Sequence, residues 1–244
     1  YINDDSQLIA AKANERYLAK LNTWIEQAKT YEGKPMSPAT ERAILLLKLS
    51  TAMPPPRDPK KLSELTTLAT RMEGMYGAGK YCTTPDDPST CRDIGALSNV
   101  LAERTDYDSQ LEAWRGWHTI SQPMRKDYVR FVELVNEGAR DLGFADAGEM
   151  WRSGYDMTPA EIAAETDRLW GQVKPLYDQL HCYARAKLET EYGADKGSVS
   201  GGMIPAHLTG NLWQQDWTNL AGLLQPYPAA GTLDIGKALQ GLQE

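Results

Sequence analysis

Residues 158–193 read TPAEIAAETDRLWGQVKPLYDQLHCYARAKLETEYG. Thr158, Pro159 and Glu161 form a capping box with proline at the first helical position. Leu169, Val173, Leu176, Leu180, Leu188 and Tyr192 then recur at helical spacing. The pattern predicts one long helix from about Pro159 to Tyr192, with those six side chains as its buried stripe and Gly193 as its stop. Pro175 falls inside it and predicts a kink, because proline lacks the N–H and crowds the carbonyl one turn back.

Upstream, the same periodicity repeats in shorter pieces. Asp4, Asp5 and Ser6 are cap candidates for a first helix carrying Leu8, Ala11, Leu18, Leu21 and Ile25, ended by Gly33 and Pro35. Ser37-Pro38 opens a second through Ile44, Leu45 and Leu47, which Pro54, Pro55 and Pro56 stop. Asp58-Pro59 opens a third with Leu62, Leu65, Leu68, Ala69, Met72 and Met75. Glycines 74, 77 and 79 read as a loosened helix end, since they follow a helical pattern rather than a strand. Asp106 caps a helix holding Leu111, Trp114 and Trp117. Another follows Pro123 with Tyr128, Phe131, Val132, Val135 and Leu142, closed by Gly143. No alternating strand run stands out, so the expected class is all-α.

Downstream, residues 201–220 read GGMIPAHLTGNLWQQDWTNL. Amides crowd between two indoles here, at Asn211, Trp213, Gln214, Gln215 and Trp217. Such a grouping suits a site that holds a polar ligand group out of bulk water. The plainer alternative is a short helix with its Trp faces in the core and its amides in solvent. A last helix is expected near Asp234.

The 244 residues are 41% apolar and carry a net charge of −7. That balance argues against nucleic acid, whose phosphates need a basic face, and no apolar run is long enough to span a bilayer. The N-terminus has neither a basic nor an apolar leader region, so an export signal is expected to have been removed already. Cys82 and Cys91 flank TTPDDPST. The rival readings are a zinc pair and a disulfide. The absent C-x2-C spacing and the lack of a nearby His favour the disulfide, worth about 2.5–3 kcal/mol for a ten-residue loop. A disulfide implies an oxidising compartment, secreted or periplasmic. Cys182 reads as a buried bystander, and Asp86 and Asp87 as solvated turn residues.

No H-E-x-x-H, H-x-x-E-H, Walker A loop, G-x-S-x-G elbow or Rossmann fingerprint occurs. His118, His181 and His207 lie too far apart to share a helix face as a metal pair, and His118 reads as a helix-surface or satisfied core histidine.

Four strings resemble the peptidyl-dipeptidase A family of zinc metallopeptidases, the angiotensin-converting-enzyme-like enzymes. They are LATRMEGMYGAGKYC (68–82), LEAWRGWHTISQPMRKDYVRFVELVNEGARDLGFADAGEMWRSGYD (111–156), PLYDQLHCYARAKLETEYG (175–193) and IPAHLTGNLWQQDWTNL (204–220). The likeness looks closest to bacterial members, and the lack of an N-x-S/T sequon agrees. It implies one multi-helix half of an ellipsoidal, channel-split fold, with residues 1–76 as N-terminal lid helices and 77–244 as channel wall. It also implies a peptidase that releases C-terminal dipeptides from peptides with free C-termini.

Residue by residue, the resemblance assigns Gln215 to the substrate's C-terminal carboxylate, a fit for carboxamide N–H donors. It assigns Tyr155 to a buried chloride site whose arginine partner is absent from this stretch, and Cys82 and Cys91 to a family disulfide. His118 stands where animal members carry a chloride-binding arginine, which puts that chloride in doubt. Asp216 replaces a Thr or Ser, so subsite preference is expected to differ. The zinc ligands and the catalytic glutamate of H-E-x-x-H are expected beyond residue 244. No catalytic or metal residue is therefore assigned in this stretch, which alone is expected to be inactive. The alternative is a non-catalytic helical module that binds peptides without zinc.

Overall fold

In the computed structural model, residues 3–103 and 106–227 are described. The helices are α1 (Asp4–Lys29), α2 (Pro38–Lys48), α3 (Pro59–Ala78), α4 (Ile94–Glu103), α5 (Tyr107–Ser121), α6 (Arg125–Asp141), α7 (Ala147–Arg152), α8 (Pro159–Tyr192), α9 (Ala194–Gly197) and α10 (Ala221–Leu224). The strands are β1 (Lys80–Cys82) and β2 (Cys91–Asp93). The fold is all-α. Contacts divide it into one unit of Tyr1–Gly95 with Arg115–Lys174 and another of Ala96–Trp114 with Pro175–Glu244.

The helix ends follow their local chemistry. Asn3, one residue before the expected caps, caps α1 by a reciprocal box with Ser6. The side chains of Ser37 and Asp58 cap α2 and α3, each followed by proline. Asp106 Oδ2 accepts from Ser109 N at 2.9 Å. Thr158 and Glu161 make the expected box, with Thr158 N donating to Glu161 Oε2 at 2.8 Å and Glu161 N donating to Thr158 Oγ1 at 3.2 Å. At the end of α6, Phe144 N donates to Ala139 O and Gly143 N to Arg140 O, the paired bonds of a Schellman motif.

The core of the first unit joins Leu18, Leu21 and Ile25 of α1 to Leu62, Leu65 and Leu68 of α3. Leu134, Val135 and Ala139 of α6 and Met150 of α7 complete it. Each such side chain contributes about 1.5–3 kcal/mol on burial. Gly138 is required where α6 meets the 54–56 proline run, because a Cβ there would lie 2.0 Å from the Pro54 carbonyl oxygen. On the surface, Arg130 forks onto Glu64 at 2.7 and 2.9 Å, tying α6 to α3.

Cys82 and Cys91 form the disulfide, facing each other across the antiparallel β1–β2 pair. Asp87 lies in the intervening turn, its carboxylate accepting from Ser89 N and Oγ. The hairpin and α4 have no counterpart in the periodicity reading. Leu97 and Leu101, four residues apart and buried, were the available signal for α4.

Helix α8 appears with the expected bounds and runs unbroken through Pro175. Its expected buried stripe is corrected. Leu169, Val173, Leu176 and Leu180 are exposed, and Ala184 and Leu188 are the buried positions, with Tyr192 half-buried. Periodicity identifies an apolar face, but burial also needs an element over that face. Cys182, expected to be buried, is exposed for the same reason. Among the described residues, no helix is long and apolar enough to cross a membrane. The helix expected near Asp234 lies outside the described residues.

Candidate functional site

The segment carrying Gln215 is built from turns. Val199 bridges Met203, with Gly201 and Gly202 at positive φ between them, and Arg185 Nη1 of α8 donates to Gly202 O at 2.9 Å. A single 3-10 turn, Ala206–Leu208, then buries His207 and Leu208. Leu208 joins Leu188 of α8 and Leu220 in a second small core, with Trp217 packed against it. The segment is thereby fastened to the last third of α8.

The loop between the two buried leucines is closed by side chains. Asn211 Oδ1 accepts from Trp213 N at 2.9 Å and from Gln215 N at 3.4 Å. Gly210 lies so close to the far side of the loop that a Cβ there would be 2.4 Å from Asp216 O. Its φ of +80 also belongs to the left-handed region. Gln214 is itself in that region at φ +57, a cost usually found at functional or tightly constrained positions. Its Nε2 donates to Leu212 O at 2.7 Å, and its own carbonyl accepts from Trp217 Nε1 at 3.2 Å.

Gln214 is thus consumed by the loop, and Gln215 is not. The Gln215 side chain is exposed and makes no hydrogen bond among the described residues. Asp216 turns back to accept from the backbone N–H and hydroxyl of Thr218, and those bonds hold its carboxyl below the usual range. The two indoles are not equivalent. Trp213 is exposed, whereas Trp217 is half-buried with Tyr177 and His181 at ring-centroid distances of 6.4 and 6.3 Å.

The remaining candidates fall elsewhere. Tyr155 is exposed on the 3-10 turn Ser153–Tyr155 in the first unit. Its neighbour Asp156 accepts from Nη1 and Nη2 of Arg42. His118 is half-buried on α5, also in the first unit. His207 lies edge-on to Tyr107 at 4.5 Å. Among the described residues, no three His, Cys, Asp or Glu side chains converge as a metal site. The donors among those residues do not fit a zinc ion, which takes three or four such ligands.

The family model described as angiotensin-converting enzyme, peptidase M2, matches residues 1–243. The chain belongs to the peptidase M2 family. Among curated M2 relatives, the angiotensin-converting enzyme of Sus scrofa is 37% identical over 183 residues, covering 74% of this chain and 14% of that protein. That of Theromyzon tessulatum is 36% identical over 194 residues, 78% of this chain and 30% of that protein. That of Bos taurus is 34% identical over 216 residues, 87% of this chain and 16% of that protein. This M2 chain therefore spans less than a third of the length of each of these relatives.

Proposed function

We propose that this chain is the portion of a zinc peptidyl-dipeptidase that precedes the zinc motif, of the bacterial type and acting outside the cytoplasm. In this reading residues 1–76 are lid helices and 77–244 are channel wall. Gln215 holds the free C-terminal carboxylate of the peptide substrate, and Tyr155 belongs to a chloride site. The zinc ligands lie outside this stretch, and no step of the reaction is assigned to residues within it.

The observation that carries the proposal is the Gln215 carboxamide. It is exposed and makes no hydrogen bond among the described residues, while Gln214 beside it is tied to Leu212. It also sits in the NLWQQDW string of a chain matched to the M2 family from residue 1 to 243. In the complete enzyme, Gln215→Ala should weaken peptides with free C-termini by about 1.5–3 kcal/mol, the range for a hydrogen bond to a charged group. Amidated peptides of the same sequence should be little affected. Equal losses for both would give Gln215 another role.

The second reading is a helical peptide-binding module without zinc. It is favoured by the lack of a three-donor cluster among the described residues. Stoichiometric zinc with chelator-sensitive dipeptide release would rule it out.

A further inference from the structure

Three ion pairs cross between α3 and α6. Lys61 meets Glu137, Glu64 meets Arg130 and Arg71 meets Asp127. Successive pairs move forward along α3 and back along α6, so the helices run antiparallel. In that register Glu73 stands opposite Arg125. These two carry opposite charges and are exposed, but neither forms an ion pair among the described residues. Both line a cavity of about 530 Å³ instead.

Every residue lining this cavity belongs to the first unit. Met72, Glu73 and Tyr76 share one face of α3 at helical spacing. Facing them, Ser121, Met124, Arg125 and Tyr128 recur at the same spacing from the end of α5 into α6. Met53 and Phe131 extend the apolar wall. Three methionines give that wall flexible thioethers, which adapt to the shape of a guest. The volume falls within the range usual for small-molecule sites, about 300–1,000 Å³. Polar atoms are few. The Tyr76 hydroxyl makes no hydrogen bond among the described residues and keeps accessible surface. Burial pushes its phenol up, so it stays neutral. Ser121 Oγ donates to His118 O at 3.1 Å and keeps its acceptor lone pairs.

We propose that this cavity binds a short zwitterionic peptide with apolar side chains, its ammonium on Glu73, its carboxylate on Arg125 and its side chains among Met53, Met72, Met124 and Phe131. A singly charged guest would meet one charge of opposite sign and one of its own. A guest with both ends satisfies both at once. Its amide N–H suits Ser121 Oγ, and its carbonyl suits the Tyr76 hydroxyl. None of these residues belongs to the unit that carries Gln215.

Calorimetric titration of the protein with phenylalanyl-leucine tests this, beside its N-acetylated and its C-terminally amidated forms. Saturable binding of the free dipeptide is expected. Acetylation and amidation should each weaken it about fivefold, the upper end for an exposed ion pair. Glu73→Gln should weaken the free dipeptide by the same factor and leave the acetylated form unchanged, since that form has no ammonium to lose. Arg125→Gln should do the same to the free and the amidated forms. Both variants alter exposed side chains without ion-pair partners, so their circular dichroism should match wild type. No saturation, equal affinity for free and blocked dipeptides, or an acetylated form weakened by Glu73→Gln as much as the free one would each overturn the proposal. So would dipeptide binding that neither variant alters, which would place the peptide elsewhere, the Gln215 loop included.

Discussion

Two leucines twelve residues apart on α8 make a controlled experiment. Leu188 is 0% exposed and Leu176 is 74% exposed, on the same helix and in the same unit. Leu188→Ala removes three carbons from the small core that fastens the Gln215 segment to α8. At about 0.8 kcal/mol per carbon, the transfer loss alone is about 2.4 kcal/mol. A cavity term adds to this, and measured Leu→Ala costs run from about 2.7 to 5 kcal/mol according to how far the site collapses. Here the neighbours Leu208 and Leu220 sit on three-residue turns, which yield more readily than long helices. Partial collapse places the expected cost near the lower end, about 3 kcal/mol. Leu176→Ala removes the same atoms from an exposed site and should stay within about 0.5 kcal/mol. The assay is guanidinium unfolding followed by far-ultraviolet circular dichroism and by tryptophan fluorescence, to which Trp217 beside this core contributes. Equal costs for the two variants, or a Leu188→Ala cost below about 1 kcal/mol, would refute the assignment of the buried face.

Other perturbations probe the first unit. Gly138→Ala should cost about 3 kcal/mol, the upper end for overpacking, because the atom in the way is the Pro54 carbonyl rather than a movable side chain; a melting temperature equal to wild type would contradict the close approach. Reducing the Cys82–Cys91 bond should cost about 2.5–3 kcal/mol by the chain-entropy estimate, read as a lowered melting point in reductant. The Glu64 carboxyl is held below its ordinary 4.5 by hydrogen bonds from Arg130. A carboxyl depressed in the folded state stabilises fully above its unfolded pKa and loses that contribution as pH falls through the folded one. Glu64→Gln should therefore lower the melting point at pH 7 by a small amount, since both side chains are 40% exposed, and the gap should close in acid. A gap that widened on acidification would contradict this.

What the sequence discloses depends on how local the cause is. The caps at Ser37, Asp58, Asp106 and Thr158 were legible because each is closed by atoms within three residues. The Schellman end at Gly143 was legible for the same reason. Burial was not, since it depends on what lies opposite. Of the apolar positions read along α6 and its cap, Val135 and Leu142 are buried, but Tyr128 and Val132 are exposed. On α8 the apolar stripe is present in the letters and bare in the fold from Leu169 to Leu180. The β1–β2 hairpin escaped notice because three-residue strands leave no alternation to detect. It owes its register to Cys82 facing Cys91 and to the Asp87 turn.

The contrast between Gln214 and Gln215 shows where the reading of the site ran out. The two are adjacent, chemically identical and flanked by the same pair of indoles, so nothing in their types separates them. The separation comes from the backbone. Gly210 brings the two ends of the loop into contact, and Asn211 Oδ1 caps the turn between them. Gln214 is left at φ +57, from which its side chain folds onto Leu212 O. Gln215, held only through its backbone N–H to Asn211 Oδ1, leaves its side chain exposed. Resemblance singled out Gln215 from the pair, and the loop's closure is what ties up the amide of Gln214 and leaves that of Gln215 exposed.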